Sequence, residues 1–211
     1  KIRTLKLPFD DGLIAAGGTV DLDGDADLQI AVRDVDIEPF LPLIGDNINA
    51  SGSITGVINM TGATKNPKVE LSARLANGSY NGIDIDQGFV LATMENHVIT
   101  VQRIQGVKED YKLSAYGKIP LAALYTTGYL DANDSKAMDM TIDFNEADMA
   151  VIPLITPTVK DATGALKGVV HVTGTIDQPE AYGTVSVRNG TMKIKTVGNE
   201  LKNIDGDLIF S

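Results

Sequence analysis

Gly52–Gly78, GSITGVINMTGATKNPKVELSARLANG, decides the fold of this chain, because its pattern returns 112 residues later as Gly164–Gly190, GALKGVVHVTGTIDQPEAYGTVSVRNG. Gly52, Gly56, Val57, Thr61, Gly62, Pro67, Asn77 and Gly78 coincide with Gly164, Gly168, Val169, Thr173, Gly174, Pro179, Asn189 and Gly190 without a gap. A repeat held in register through a strand, a turn and a second strand marks a repeating architecture. Ile54, Gly56, Ile58 and Met60 fall on one face of the first strand, and Val69, Leu71, Ala73 and Leu75 on one face of the second. Leu166, Gly168, Val170 and Val172, then Ala181, Gly183, Val185 and Val187, repeat the arrangement. A slip of one residue would turn every side chain to the other face, so this agreement weighs more than the identities do.

Before the first copy the chain shows the same period of two. Leu5 and Leu7 share a face until Pro8 interrupts it; Ile14, Ala16, Gly18, Val20 and Leu22 follow, then a turn at Asp23-Gly24, then Leu28, Ile30 and Val32. The alternation fails at Asp36–Ile44, DIEPFLPLI, and again at Asp148–Ile155, DMAVIPLI, where apolar residues cluster after an aspartate suited to capping a helix. Each is expected to be a short helical plug. Asn77-Gly78 and Asn189-Gly190 are expected as tight hairpin turns. Further strands are expected near Ile83–Ile85, Gly88–Met94, Val98–Ile104, Tyr111–Ile119, Gly128–Leu130 and Ala137–Phe144, roughly fourteen to sixteen in all. No stretch reads as a linker. The expectation is one continuous β segment over residues 1–211 with two internal repeats, about 17–127 and 128–211.

The chain has 211 residues, no Cys and no Trp, 21 Gly and a net charge of -10. Without cysteine there are no disulfides, thiolate nucleophiles or cysteine zinc sites. The acidic balance argues against nucleic acid and against flat docking on anionic lipid headgroups. No run is long enough for a membrane helix and no signal peptide opens the chain. It begins at Lys1 and stops at Ser211 inside an apparent strand, so it is expected to be part of a longer protein.

Side-chain chemistry is sparse. His97 sits in an expected turn and His171 on a polar strand face, neither with metal spacing nor with triad partners. Asp21, Asp23, Asp25 and Asp27 form an acidic cluster, but Gly24 lies between the second and third aspartate and Val32 holds the twelfth place, unlike a calcium loop. The cluster reads instead as a solvated edge that discourages strand addition. The glycosylation sequons at Asn77 and Asn189 coincide with the Asn-Gly pairs. No catalytic constellation emerges, so the reading is a non-enzyme with no metal and no cofactor. What the residues do present is an extended apolar face of Ile, Val, Leu, Ala and Gly. Either the sheet folds over it to close a dry core, or part of it stays available to a ligand, a membrane or another chain.

A plug, then Gly-x-x-x-Gly with alternating apolar residues and a further Gly, then Asn66-Pro67 or Gln178-Pro179, then an alternating strand ending in Asn-Gly, resembles the TamB family and the wider AsmA-like group. The resemblance covers essentially the whole chain. It implies an all-β fold: an elongated, curved, mainly antiparallel sheet forming an open apolar trough, the β-taco, with plugs near 36–44 and 148–155. It implies a place in the periplasm of a diderm bacterium, in a parent protein anchored in the inner membrane outside this segment. The implied function is non-catalytic transfer of phospholipid along the trough towards the outer membrane. A scaffold for outer-membrane proteins or autotransporters with a BamA-like partner is the alternative, and a closed structural repeat module the third reading. The positions expected to line the trough against acyl chains are Leu28, Ile30, Val32, Ile54, Ile58, Met60, Val69, Leu71 and Leu75, with Leu166, Val170, Val172, Val185 and Val187 in the second copy.

Overall fold

Alternating side chains and short turns make each strand pair with the next, and the result is a single antiparallel sheet. The computed structural model describes residues 2–9, 11–43, 49–80, 82–109, 111–124, 135–155, 158–195 and 200–211. Twelve strands appear among them: β1 (Ile2–Phe9), β2 (Gly12–Val20), β3 (Asp25–Asp36), β4 (Ala50–Ala63), β5 (Lys68–Tyr80), β6 (Ile83–Glu95), β7 (Val98–Lys108), β8 (Tyr111–Pro120), β9 (Asp139–Asp148), β10 (Val159–Gly174), β11 (Pro179–Ile194) and β12 (Glu200–Phe210). Their order in the sheet is their order in the chain, and β1 and β12 do not meet. The sheet is therefore curved but unclosed, an open trough. Its accessible surface is 13628 Å², whereas a compact protein of this length exposes about 9400 Å².

Fewer, longer strands replace the expected fourteen to sixteen. Gly88 does not interrupt β6, and Pro8 stays within β1 because an edge strand tolerates a missing donor. The strand expected at 128–130 lies outside the described residues.

The Asn-Gly pairs are corrected too: neither is a hairpin turn. Asn77 lies inside β5 and Asn189 inside β11, with φ of 49° and 51°. The register slips by one residue at each, between Ser51 and Ser53 opposite the first and between Thr163 and Ala165 opposite the second. Both are bulges, which use the same left-handed asparagine that a turn would. A Cβ on Gly52 would lie 2.8 Å from Gly78 Cα, and one on Gly164 2.7 Å from Gly190 Cα. The facing glycines let the backbones come together at each bulge. A two-residue hairpin with both central residues at positive φ is at Asn96-His97, between Glu95 and its partner Val98. At Asp23-Gly24 the chain does reverse, with Asp21 N donating to Asp25 O at 3.0 Å.

Both plugs are present. The first is a 3₁₀ turn, Glu38–Leu43, with Ile44 outside the described residues. The second runs from a 3₁₀ turn, Met149–Val151, into α2, Ile152–Ile155. Asp36 Oδ1 accepts from Glu38 N at 3.1 Å, and 112 residues on Asp148 Oδ1 accepts from Ala150 N at 2.8 Å. A further helical turn, α1 (Leu121–Leu124), has no counterpart in the sequence reading. No helix among the described residues is long and apolar enough to cross a membrane.

Candidate functional site

Pairing in register aligns side chains into rows that cross the sheet, and these rows build the candidate site. One runs Leu7, Ile14, Val32, Gly56, Ala73, Val90, Ile104, Ala115, Ile142, Val170, Gly183, Phe210, crossing all twelve strands. The next runs Leu5, Ala16, Ile30, Ile58, Leu71, Ala92, Val101, Gly117, Met140, Val172, Ala181. A third begins Gly18, Leu28, Met60, Val69, Met94, Ile99, Ile119. None contains a polar side chain. At a strand spacing of about 4.8 Å the apolar rows extend roughly 50 Å across the strands.

The opposite face is polar in the corresponding row: Gln29, Asn59, Glu70, Thr93, Thr100, Lys118, Asp139. Gln29 Nε2 donates to Asn59 Oδ1 at 2.8 Å, and Gln102 Nε2 to Thr93 Oγ1 at 2.9 Å. Lys68 Nζ lies 2.7 Å from Glu70 Oε1, and this hydrogen bond, with the carboxylate charge behind it, raises the lysine above its ordinary pKa. Both groups are half exposed, so the pair adds little to stability. Further along, His171 Nδ1 lies 3.0 Å from Thr141 Oγ1, and Tyr182 donates to Glu180 at 3.0 Å, a bond that raises the phenol's pKa. No three His, Cys, Asp or Glu side chains gather as a metal would require among the described residues.

The fourteen positions singled out in the sequence share the apolar face, yet the two copies present them differently. Leu28, Ile30, Val32, Ile54, Ile58, Met60, Val69, Leu71 and Leu75 are partly exposed, as is Val172. Leu166, Val170, Val185 and Val187 are each 4% exposed and pack into a closed cluster with Phe144, Ala147, Met149, Val159 and Ala162. Met149 of the second plug seals this cluster: its Sδ would be 2.6 Å from a Cβ placed on Gly190. In the first copy the corresponding space at Gly78 belongs to Leu75, whose Cδ2 would be 2.5 Å from such a Cβ. Among the described residues the first plug packs no such cluster; Phe40 instead meets Phe9 at the end of β1, with ring centroids 5.3 Å apart. Equivalence of the two copies as open rungs is therefore corrected: four second-copy positions are covered by protein. The substitutions of Phe144 for Val32 and Met149 for Ile37 at the 112-residue offset were the sequence signal for this.

Gly56 and Gly168 sit where neighbouring strands come closest. A Cβ on Gly56 would be 2.7 Å from Ala73 Cβ, and on Gly168, at φ 151°, 2.9 Å from Val185 Cα. They permit close approach of neighbouring strands rather than leaving open space for a ligand.

The structure adds a feature that the sequence reading missed. A cavity of about 470 Å³ opens beside the second plug, where the ends of β6, β7 and β8 face the start of the plug. Ile85, Val107, Leu113, Ala147 and Val151 contribute apolar walls; Asp84, Lys108, Glu109 and Lys112 contribute charge. Comparisons with protein-family models, curated proteins and solved structures gave no match.

Proposed function

We propose that this chain is a non-catalytic lipid conduit, whose apolar face shields phospholipid acyl chains from water on the way between the inner and outer membranes of a diderm bacterium. In that role it supports outer-membrane biogenesis. The observation that carries the reading is the set of apolar rows, uninterrupted across a sheet that does not close. The polar row opposite lets such a sheet stand in water. At about 0.8 kcal/mol per methylene, a sixteen-carbon chain moved from water onto an apolar surface gains on the order of 12 kcal/mol at full burial. Partial cover by an open trough gains less, which suits a carrier that must release its cargo. The periplasmic setting and an anchor elsewhere in the parent protein belong to the same proposal and rest on the TamB-like repeat unit.

The test is Ile58→Asp in the full-length parent protein. Ile58 is partly exposed, so the charge disturbs the trough surface rather than a sealed core. Loss of co-purifying phospholipid together with a leaky outer membrane is the expected result; unchanged lipid and an intact envelope would overturn the reading.

A second reading is a scaffold that receives outer-membrane strands beside a BamA-like barrel, and the partly exposed apolar positions Ile54, Ile58 and Met60 would serve it equally. Crosslinks from position 58 to peptide instead of lipid would support it.

A further inference from the structure

The open trough and the sealed core meet at the cavity beside the second plug. In register across the sheet, Ile54, Leu75, Gly88, Gly106 and Leu113 form an apolar row whose last two members line the cavity. Leu113 and Val151 both line it and also pack against the sealed cluster, so part of its wall is the outside of the second copy's core. The row therefore runs into a blind end of about 470 Å³, within the size range of small-molecule pockets.

Gly106 separates this space from the close strand packing seen elsewhere. A Cβ there would meet no atom within 4 Å, and its φ lies outside the left-handed region, so neither a contact nor the backbone calls for glycine. At Gly52, Gly56, Gly164 and Gly168, by contrast, a Cβ would lie under 3.0 Å from the neighbouring strand. A glycine weakens the strand that holds it, and one with no backbone reason leaves room for a ligand. What the cavity exposes is mostly apolar. Of the charged residues that border it, buried Asp148 spends both carboxylate oxygens on Ala150 N and Gly164 N. Asp84, Glu109 and Lys112 are exposed and Lys108 partly so, and none depends on a ligand for its solvation.

We infer that this cavity takes the methyl end of one phospholipid acyl chain, an inference that rests on the conduit reading above and gives the conduit a resting station. Water gains little from apolar walls, and cavities of this kind take apolar ligands. A headgroup inside would lose water without polar partners to replace it, so the chain enters end first and the head stays outside. The parallel row that ends in Met140, Val172 and Ala181 stays partly exposed past the plug, so the station lies beside the path rather than across it.

Photocrosslinking with two sixteen-carbon lysophosphatidylcholines tests this on the whole chain. One carries a diazirine at the methyl end of its acyl chain and the other beside the carbonyl, and attachment sites are mapped by mass spectrometry. The methyl-end probe should label the segments around Leu113 and Val151, and the carbonyl-end probe should not. Gly106→Leu fills the space and should cut that labelling about tenfold or more, leave labelling around Ile58 unchanged, and keep or raise the unfolding midpoint. Ala150→Leu, which narrows the cavity from the plug side, should do the same and serves if the first variant fails to fold. If the probes bind but the two segments are not labelled preferentially from the methyl end, or if both variants keep the labelling, the pocket is wrong and the conduit stands. Labelling of the cavity alone, untouched by Ile58→Asp, would keep the pocket and remove the conduit. If neither probe labels the protein, both fall.

Discussion

The two copies of the repeat share backbone, bulge and cap but end in opposite states. In the first, Ile54, Ile58 and Leu75 are partly open; in the second, their counterparts Leu166, Val170 and Val187 are sealed beneath a plug, while Met60 and Val172 are both partly open and Ala73 and Val185 both buried. The strands do not cause the difference, since β4 and β10 carry the same glycine spacing and the same face. Side-chain shape at two offset positions does: the larger Phe144 stands where the first copy has Val32, and the longer, unbranched Met149 where it has the equally bulky Ile37. One repeat unit thus builds either a rung of the trough or a small hydrophobic core that anchors the sheet. A single-layer sheet with so much open apolar surface gains its folding free energy where a second layer exists, and here that layer is the second plug.

Removing the plug's anchor should produce the largest effect. Met149 is 1% exposed, so Met149→Ala should cost about 2–5 kcal/mol in urea unfolding followed by circular dichroism. Ile37→Ala, at the equivalent but partly exposed position, should cost less than about 1 kcal/mol; equal losses would break the contrast. Next comes the cap. Asp148 also accepts from Gly164 N at 2.9 Å and is buried, so Asp148→Ala strands two N–H groups and should cost about 1–3 kcal/mol. Asp36→Ala removes an exposed cap, with an expected loss of about 0.5–1 kcal/mol. The one expected gain in stability, roughly 0.5 kcal/mol, comes from Val32→Phe combined with Ile37→Met. These changes transplant the seal, and binding of an apolar fluorescent dye should fall as the first copy closes; undiminished dye binding would show that the side chains at these positions are not the cause.

What could be read in the sequence follows from the physics of each feature. Strand faces were legible because the period of two is local and a slip reverses it, and all fourteen selected positions share the apolar face. The Asn-Gly pairs misled because asparagine at positive φ serves bulges as well as turns, and only the pairing partner, Gly52 or Gly164, separates the two. Strand number was overcounted for a related reason: Gly88 reads as a break until a neighbouring strand is there to hold it. Burial of Leu166, Val170 and Val187 was missed because it depends on Phe144 and Met149, which are local to none of them and show only as departures from the first copy at the 112-residue offset. The cavity gathers Asp84, Lys108 and Lys112 from strand ends with the plug at 147–151, a grouping created by topology alone.

The central claim is that the first copy is an open lipid rung and the second is not, and site-specific photocrosslinking reads this directly. A diazirine amino acid placed at position 58 of the full-length parent protein in living cells should crosslink to phospholipid acyl chains, while the same residue at position 170 should crosslink only within the protein. Equal lipid labelling at both positions, or none at position 58, would contradict the account.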